Sequence, residues 1–224
     1  NGKNSSQVFG TELKTNFEFI KPQNKKNNTK IITQFCRICY NKKMETIITT
    51  ERLELKPIKL EDAEALFKIT SNKTTTRYML YAGTEKIQET IDFITDCQKD
   101  WNRWQADNNQ PNVALNFSIF IKNTTTPIGT IEIDILEDPT TAEMGWMLHN
   151  DFQNKGYGSE AAFAILDFAK KLGIKSIIAH CDKRNIPSFS LMKKIGMKLV
   201  SNDGDRIYPK TGEIAKEICC KMEL

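Results

Sequence analysis

Gln153-Asn154-Lys155-Gly156-Tyr157-Gly158-Ser159 runs without a break into an amphipathic helical pattern, and the reading of this stretch decides the fold. Two glycines, a lysine and a series of backbone donors at a helix start form a cradle for phosphate oxygens. The first amides of a helix have no intrahelical acceptor and carry a partial positive charge. The same glycines also serve a plainer purpose, since glycine just before a helix permits tight packing. The neighbouring segments discriminate between these two readings.

Upstream, three apolar runs follow one another closely: Val113 to Ile121, Ile128 to Leu136 and Thr141 to Leu148. Asn123-Thr124-Thr125-Thr126-Pro127 and Glu137-Asp138-Pro139-Thr140 separate them. Connections this short predict an antiparallel meander, because a parallel crossover needs a dozen or more residues. Downstream, Ala161, Ala162, Ile165, Leu166, Ala169 and Leu172 form a helical stripe that stops at Gly173. Lys175 to Cys181 reads as a buried strand, and the helix between it and Leu148 makes the connection long enough for parallel pairing. Pro187 lies in the first turn of a further helix carrying Leu191, Met192 and Ile195 and ending at Gly196. Met197 to Ser201 and Glu213 to Met222 read as two closing strands, joined by a loop through Asp203-Gly204-Asp205 and Pro209. That acidic loop lacks the downstream Glu of an EF-hand.

Nearer the amino terminus, Leu53-Glu54-Leu55-Lys56-Pro57-Ile58 alternates as a half-buried strand ending near Pro57. Residues 61–70 follow as a helix with Ala63, Leu66, Phe67 and Ile69 on one face. Thr74 to Tyr81 is dense in large side chains and closes at Gly83, as plain core or as a pocket wall. Thr84 is placed to cap a long helix over 85–105, where Ile87, Ile91, Ile94, Cys97, Trp101 and Trp104 recur at steps of three or four. Trp101 and Trp104 read as core anchors. The Asn108-Asn109-Gln110-Pro111-Asn112 cluster breaks that helix.

The chain has 224 residues and a formal net charge of +4, but the basicity is local. Residues 1–43 carry nine Lys or Arg against Glu12 and Glu18, so the remaining 181 positions are net acidic. Rich in Asn, Lys and Thr and without a sustained period, residues 1–43 read as a basic, poorly ordered extension. Met44 then reads as the start of the functional domain, 44–224, since Asn1 is not an initiator. No apolar run reaches the roughly 18 residues of a membrane span, so a soluble protein with no membrane partner is expected. Six cysteines are too sparse for a disulfide scaffold, which favours a reducing, cytoplasmic setting. Cys36-Arg37-Ile38-Cys39 has half of a zinc spacing with no second half, and no metal is expected.

The order strand, helix, helix, meander, helix, strand, helix, strand, strand, together with two motifs, resembles the GNAT superfamily of acetyl-CoA-dependent N-acetyltransferases. Gln153-x-x-Gly156-x-Gly158 is similar to the family's coenzyme A pyrophosphate loop, and Asn185-Ile186-Pro187-Ser188 with Leu191, Lys194 and Gly196-Met197 to its second signature. Thr50-Glu51-Arg52-Leu53, Glu143-Met144-Gly145-Trp146 and Asn185-x-x-Ser188 look most like the branch of ribosomal-protein N-terminal acetyltransferases, the RimJ/RimL-like enzymes. The resemblance spans residues 48–222. It implies a mixed α/β fold, a mostly antiparallel sheet of about six or seven strands with one splayed parallel pair and flanking helices.

The resemblance also implies roles. Gln153, Asn154, Lys155, Gly156, Tyr157, Gly158 and Ser159 hold the pyrophosphate of acetyl-CoA, with Lys155 adding a cation. Met147 and Leu148 lie beside the pantetheine arm, and main-chain N–H near Leu148 faces the thioester oxyanion. Glu143 is the candidate general base, because a Lys-type amine with a pKa of about 10.4 is mostly protonated at neutral pH and cannot attack. Many GNAT enzymes protonate the leaving thiolate with a Tyr, but Met192 stands at that position here, and Ser188 matches the Ser that takes the task in the RimL-like branch. Asn185 binds pantetheine amides, caps the helix, or does both. His149 is left out of the catalytic set, and His180 has no evident partner. Cys181 is the rival nucleophile for a covalent route, but no matched His accompanies it.

The implied function is transfer of acetyl from acetyl-CoA to a primary amine by direct attack. The acceptor is a protein N-terminus, a ribosomal protein among them, or a small-molecule amine, and the enzyme is a monomer or homodimer. Two alternatives stand beside it. One is a non-catalytic acyl-CoA sensor. The other is a ribosome- or RNA-associated protein using the basic arm, although nucleic acid is an unfavoured partner because the domain itself is acidic.

Overall fold

The computed structural model describes residues 47–80, 83–108 and 110–224, so the expectations for the extension and for Cys36 and Cys39 lie outside the described residues. Eight strands form one sheet: β1 (Ile48–Thr49), β2 (Leu53–Pro57), β3 (Val113–Ile121), β4 (Pro127–Ile135), β5 (Thr141–Leu148), β6 (Ser176–Asp182), β7 (Lys198–Ile207) and β8 (Ile214–Glu223). Among the described residues four α-helices accompany it: α1 (Ala63–Thr70), α2 (Ile87–Ala106), α3 (Tyr157–Leu172) and α4 (Ile186–Lys194). The strand order is β1-β2-β3-β4-β5-β6-β8-β7, antiparallel throughout except for β5 and β6. The extra strand relative to the expected six or seven is the two-residue β1.

The two faces of the sheet hold different elements. Phe117 on β3 meets Phe168 of α3 edge to face at 5.6 Å, which puts α3 on the face that also carries Ile131. On the opposite face Ser118 donates to Asp62 at 2.7 Å, and Met147 of β5 packs on a core cluster of Ile58, Leu66, Ile69, Ile94 and Cys97 from the α1–α2 layer. Covered on both sides, β3 is almost wholly buried, as expected of a central strand rather than a half-exposed one.

Trp101 and Trp104 do anchor the core, in a specific way. β2 pairs only with Phe117 to Ile121, so the first half of β3 has a free edge. Helix α2 fills it: Trp101 Nε1 donates to the Asn116 carbonyl at 2.8 Å, and Asp100 accepts from the Ala114 amide at 3.3 Å. An uncovered strand edge would carry unpaired polar groups. The two tryptophans stack edge to face at 5.7 Å.

Two local expectations need correction. Thr84 does not cap α2, whose start at Lys86 has no side-chain cap; its hydroxyl instead meets that of Thr70 at 2.7 Å, tying the entering loop to α1. Asp203-Gly204-Asp205 is strand, not loop. β7 runs on to Ile207 through two register shifts, and the cross-strand pairs Asp205–Lys216 at 2.8 Å and Arg206–Glu217 at 2.5 Å hold it to β8. The shifts absorb the turn-forming residues without ending the strand.

Candidate active site

The site begins where β5 and β6 part. Their parallel pairing covers Thr141↔Ser176, Ala142↔Ile177 and Glu143↔Ile178 and goes no further. Beyond that point β5 keeps its ladder with β4 as far as Leu148, while β6 keeps its own with β8 as far as Asp182. The edges of Met144–Leu148 and Ala179–Asp182 that face each other are therefore unpaired. Trp146, Met147 and Leu148 become half-exposed although their neighbour Met144 is buried. A wedge of this kind offers main-chain donors and acceptors to an extended, amide-bearing chain.

The loop closes one end of the wedge. Gln153 does not point outward: its Nε2 donates to the Leu148 carbonyl at 2.8 Å, fixing the loop to the last residue of β5. Asn154 and Gly156 take positive φ values of 59° and 85°, which turn successive amides toward one side, and an L-residue adopts such values only at a cost. Helix α3 then starts at Tyr157 with no side-chain cap, and its first amide with an intrahelical acceptor is Glu160, bonded to Gly156 O at 3.1 Å. The amides of Tyr157, Gly158 and Ser159 thus have no acceptor within the helix, the arrangement that binds anions.

The glycines differ in purpose. Gly156 is needed for its backbone angle, whereas a Cβ on Gly158 would press on Leu148 at 3.3 Å and Leu191 at 3.4 Å. Gly158 therefore seats the helix start between β5 and α4. The Ser159 hydroxyl is spent internally, donating to Gly156 O at 2.9 Å and accepting from Lys194 Nζ at 3.0 Å. Lys155 is exposed, its ammonium 5.6 Å from the Phe152 ring centroid.

Sequence reading missed what holds this loop. Glu160, in the first turn of α3, accepts from the Thr50 hydroxyl at 2.5 Å, the Arg52 amide at 2.8 Å and Arg52 Nε at 2.7 Å. Arg52 also donates to the Lys155 carbonyl at 3.1 Å and lies 4.6 Å over the Tyr157 ring. Burial alone would raise the Glu160 carboxyl, but the bonds from Thr50 and Arg52 outweigh it and hold the pKa below its ordinary value. The partners are more than a hundred positions apart in sequence, so no local spacing announced them.

Glu143 stands at the last paired position of the wedge. Its Oε1 lies 2.9 Å from His180 Nδ1 across the β5–β6 joint, which supplies the partner for His180 that the sequence did not reveal. The contact holds His180 above its ordinary pKa, against the opposing effect of burial. Nearby on β4, burial together with the charges of Asp134 and Glu143 pushes Glu132 up to about 7. Glu132 lies over Gly145, where an added Cβ would come 2.6 Å from Oε1.

Asn185 caps α4 by accepting from the Ser188 amide at 3.2 Å. The Ser188 hydroxyl acts to lower the pKa of the Cys181 thiol, and Cys181 follows His180 on β6, so its side chain leaves from the opposite face. Glu143 and Ser188 consequently address the wedge from opposite sides of the sheet. Cys181 is buried and its thiol is pushed up to about 11 by that burial, which leaves little thiolate for a covalent route. His149 caps the turn before the loop, accepting from the Asp151 amide at 3.3 Å.

A splayed parallel pair ending at a carboxylate, closed by an uncapped glycine loop, is the architecture of an acyl-coenzyme A transferase, and the comparisons agree. Residues 52–198 match the Acetyltransferase (GNAT) domain family. The chain is 34% identical over 152 residues to the uncharacterized N-acetyltransferase YnaD of Bacillus subtilis, covering 67% of this chain and 82% of that protein. Among solved structures, a GNAT-family acetyltransferase from Bacillus anthracis superposes with a TM-score of 0.66 at 27% identity, over 79% of this chain and 98% of that one. The RimL ribosomal L7/L12 α-N-protein acetyltransferase in complex with coenzyme A gives 0.66 at 18% identity, over 80% and 98%, a likeness of fold. The chain belongs to the GNAT family and is an acetyl-CoA-dependent N-acetyltransferase.

Proposed function

We propose that the enzyme acetylates a primary amine by direct attack on acetyl-CoA, with the pantetheine arm in the β5–β6 wedge and the pyrophosphate on the loop from Gln153 to Ser159. The observation that carries this reading is the end of β5–β6 pairing at Glu143, the residue whose carboxylate the reaction needs. An acceptor ammonium loses a proton at the Glu143 end of the wedge. The free amine attacks the thioester carbon, the C–S bond breaks, and the thiolate leaves as the thiol after taking a proton through Ser188. Met147 and Leu148 line the arm, and Asn185 orients Ser188 by capping its helix.

The acceptor is a protein N-terminus, as for the RimL neighbour by its name, or a small-molecule amine. Residues 74–80 and 83–86 border the acceptor side. Arg206 Nη2 donates to Tyr78 O at 3.4 Å and Lys210 to Gly83 O at 2.7 Å, so these residues rest on the β7–β8 hairpin beside Glu217 and His180. A cytoplasmic setting is proposed on the four buried or half-buried free thiols among the described residues; no described helix is long and apolar enough to cross a membrane.

Release of free coenzyme A measured across peptide N-termini, polyamines, aminoglycosides and amino sugars tests the reading. It predicts turnover with at least one class. Coenzyme A binding with no release from any class supports a non-catalytic sensor instead. Ser188→Ala is expected to lower kcat about tenfold or more with coenzyme A affinity unchanged, as for loss of a proton donor; an unchanged kcat reduces Ser188 to a packing partner of Cys181.

A further inference from the structure

We propose that His180 is a catalytic residue of this enzyme: its Nε2 takes the proton from the acceptor ammonium, and Glu143 holds the imidazole in place through Nδ1. The inference rests on the acetyltransferase reading and assigns the proton transfer within it. An ionised carboxylate can only accept a hydrogen bond, so the 2.9 Å contact between Glu143 Oε1 and His180 Nδ1 requires the proton to sit on Nδ1. In the neutral ring the lone pair is then on Nε2, which bonds to no described residue. A carboxylate on one ring nitrogen and a free lone pair on the other is the arrangement by which imidazole serves as a general base.

Position supports the role. β5 and β6 separate after Glu143↔Ile178, and His180 is two residues further along β6 on the side that faces Glu143. The ring therefore stands at the opening of the wedge. The next residue of β5 on that face is Gly145, which presents no side chain, and Glu132 is packed over it. Glu143 itself is the residue at the crotch and spends Oε1 on His180, whose partly exposed imidazole stands beside it.

The charges around the ring come from four strands. Glu143 on β5 raises its basicity, with Asp134 and Glu132 behind it on β4. On β8, Cys219 is the register partner of His180 and is kept as the neutral thiol chiefly by burial, while Glu217 raises the imidazole. Arg206 of β7 lowers it but is bound to Glu217 at 2.5 Å, so these two charges offset each other. The net result is an imidazole more basic than a free one.

The step balances. The ammonium proton moves to His180 Nε2, and the amine lone pair forms the new C–N bond as the C–S electrons leave with sulfur. The second proton of the attacking nitrogen goes to the thiolate, giving the amide and free coenzyme A. The imidazolium then returns its proton to solvent. The base must be neutral to act, so kcat rises with pH through the raised pKa of His180 and is flat above it.

The test combines imidazole NMR titration with pH profiles of kcat for the full chain, His180→Asn and Glu143→Gln, using two acceptors of different basicity. The chain has two histidines, so the resonance missing from H180N identifies His180. The expected results are a His180 titration above the ordinary value of about 6.5 that moves to lower pH in E143Q, and an acid limb of kcat that follows it and does not move with the acceptor. H180N is expected to lose that limb and at least a hundredfold in kcat, while binding coenzyme A as the parent does. An H180N enzyme within twofold of the parent with the same limb overturns the inference and leaves the acetyltransferase intact, as does a His180 titration unmoved in E143Q. A parent that binds coenzyme A and acetylates nothing defeats both readings.

Discussion

The donor loop and the Glu143–His180 pair sit at the two ends of the same wedge, yet they are built in opposite ways. The loop is fixed many times over: Gln153 bonds the end of β5, Arg52 bonds the Lys155 carbonyl, and Glu160 gathers Thr50 and Arg52 onto the first turn of α3. The pair on the chemical side rests on one 2.9 Å contact between half-exposed side chains. Under the proposed function, grip on the donor is a property of the backbone and its supports, which the whole fold maintains. The proposed chemistry rests on two side chains, and enzymes on one frame can vary it separately from the fold.

Glu160→Ala is the strongest probe of the contrast. It leaves the Thr50 hydroxyl and the Arg52 amide and guanidinium without their acceptor, which is expected to lower stability in denaturant unfolding and to weaken coenzyme A binding. A loss below about 1 kcal/mol would make the cluster an ordinary surface pair.

Glu132→Gln acts between the two regions and carries a pH signature. The carboxyl is held at about 7 in the folded protein, above its ordinary value, so the folded state binds this proton more tightly than the unfolded chain does. Its contribution to stability is full below the unfolded value of about 4.3 and declines as pH rises toward 7. The variant is expected to gain about 2 kcal/mol on the parent at pH 8 and nothing near pH 4, read from urea unfolding at both. An equal effect at both pH values contradicts a raised carboxyl.

Gly145→Ala is expected to have the smallest effect on stability, about 1 to 2 kcal/mol, because the new methyl meets the mobile end of Glu132 rather than backbone. Combining it with Glu132→Ala should remove most of that cost. If the double variant is no better than the sum of the singles, the two side chains do not share the space.

What was legible in the sequence was local. The meander, the helix stripes, the stop at Gly173 and the loop itself are repeated patterns or short motifs, and β3, β5 and α3 lie where those patterns put them. The parallel pair followed from the length of the crossover. The Arg52–Glu160 tie and the Glu143–His180 pair were invisible because each joins residues on different strands or helices, 108 and 37 positions apart, with no spacing rule to connect them. His180 looked solitary until register set it two positions past Ile178, opposite the carboxylate. The sequence predicts a shorter β7 because Asp203-Gly204-Asp205 is turn chemistry, whereas pairing with β8 and the Asp205–Lys216 ion pair accompany the strand beyond it.

The claim that grip and chemistry are separate is tested most directly by Glu143→Gln. Coenzyme A affinity is measured by titration calorimetry and kcat on the best amine acceptor with the same preparation. Affinity within about twofold of the parent, with kcat reduced about a hundredfold or more, is the predicted result. Unchanged kcat would contradict it and remove Glu143 from the proton transfer.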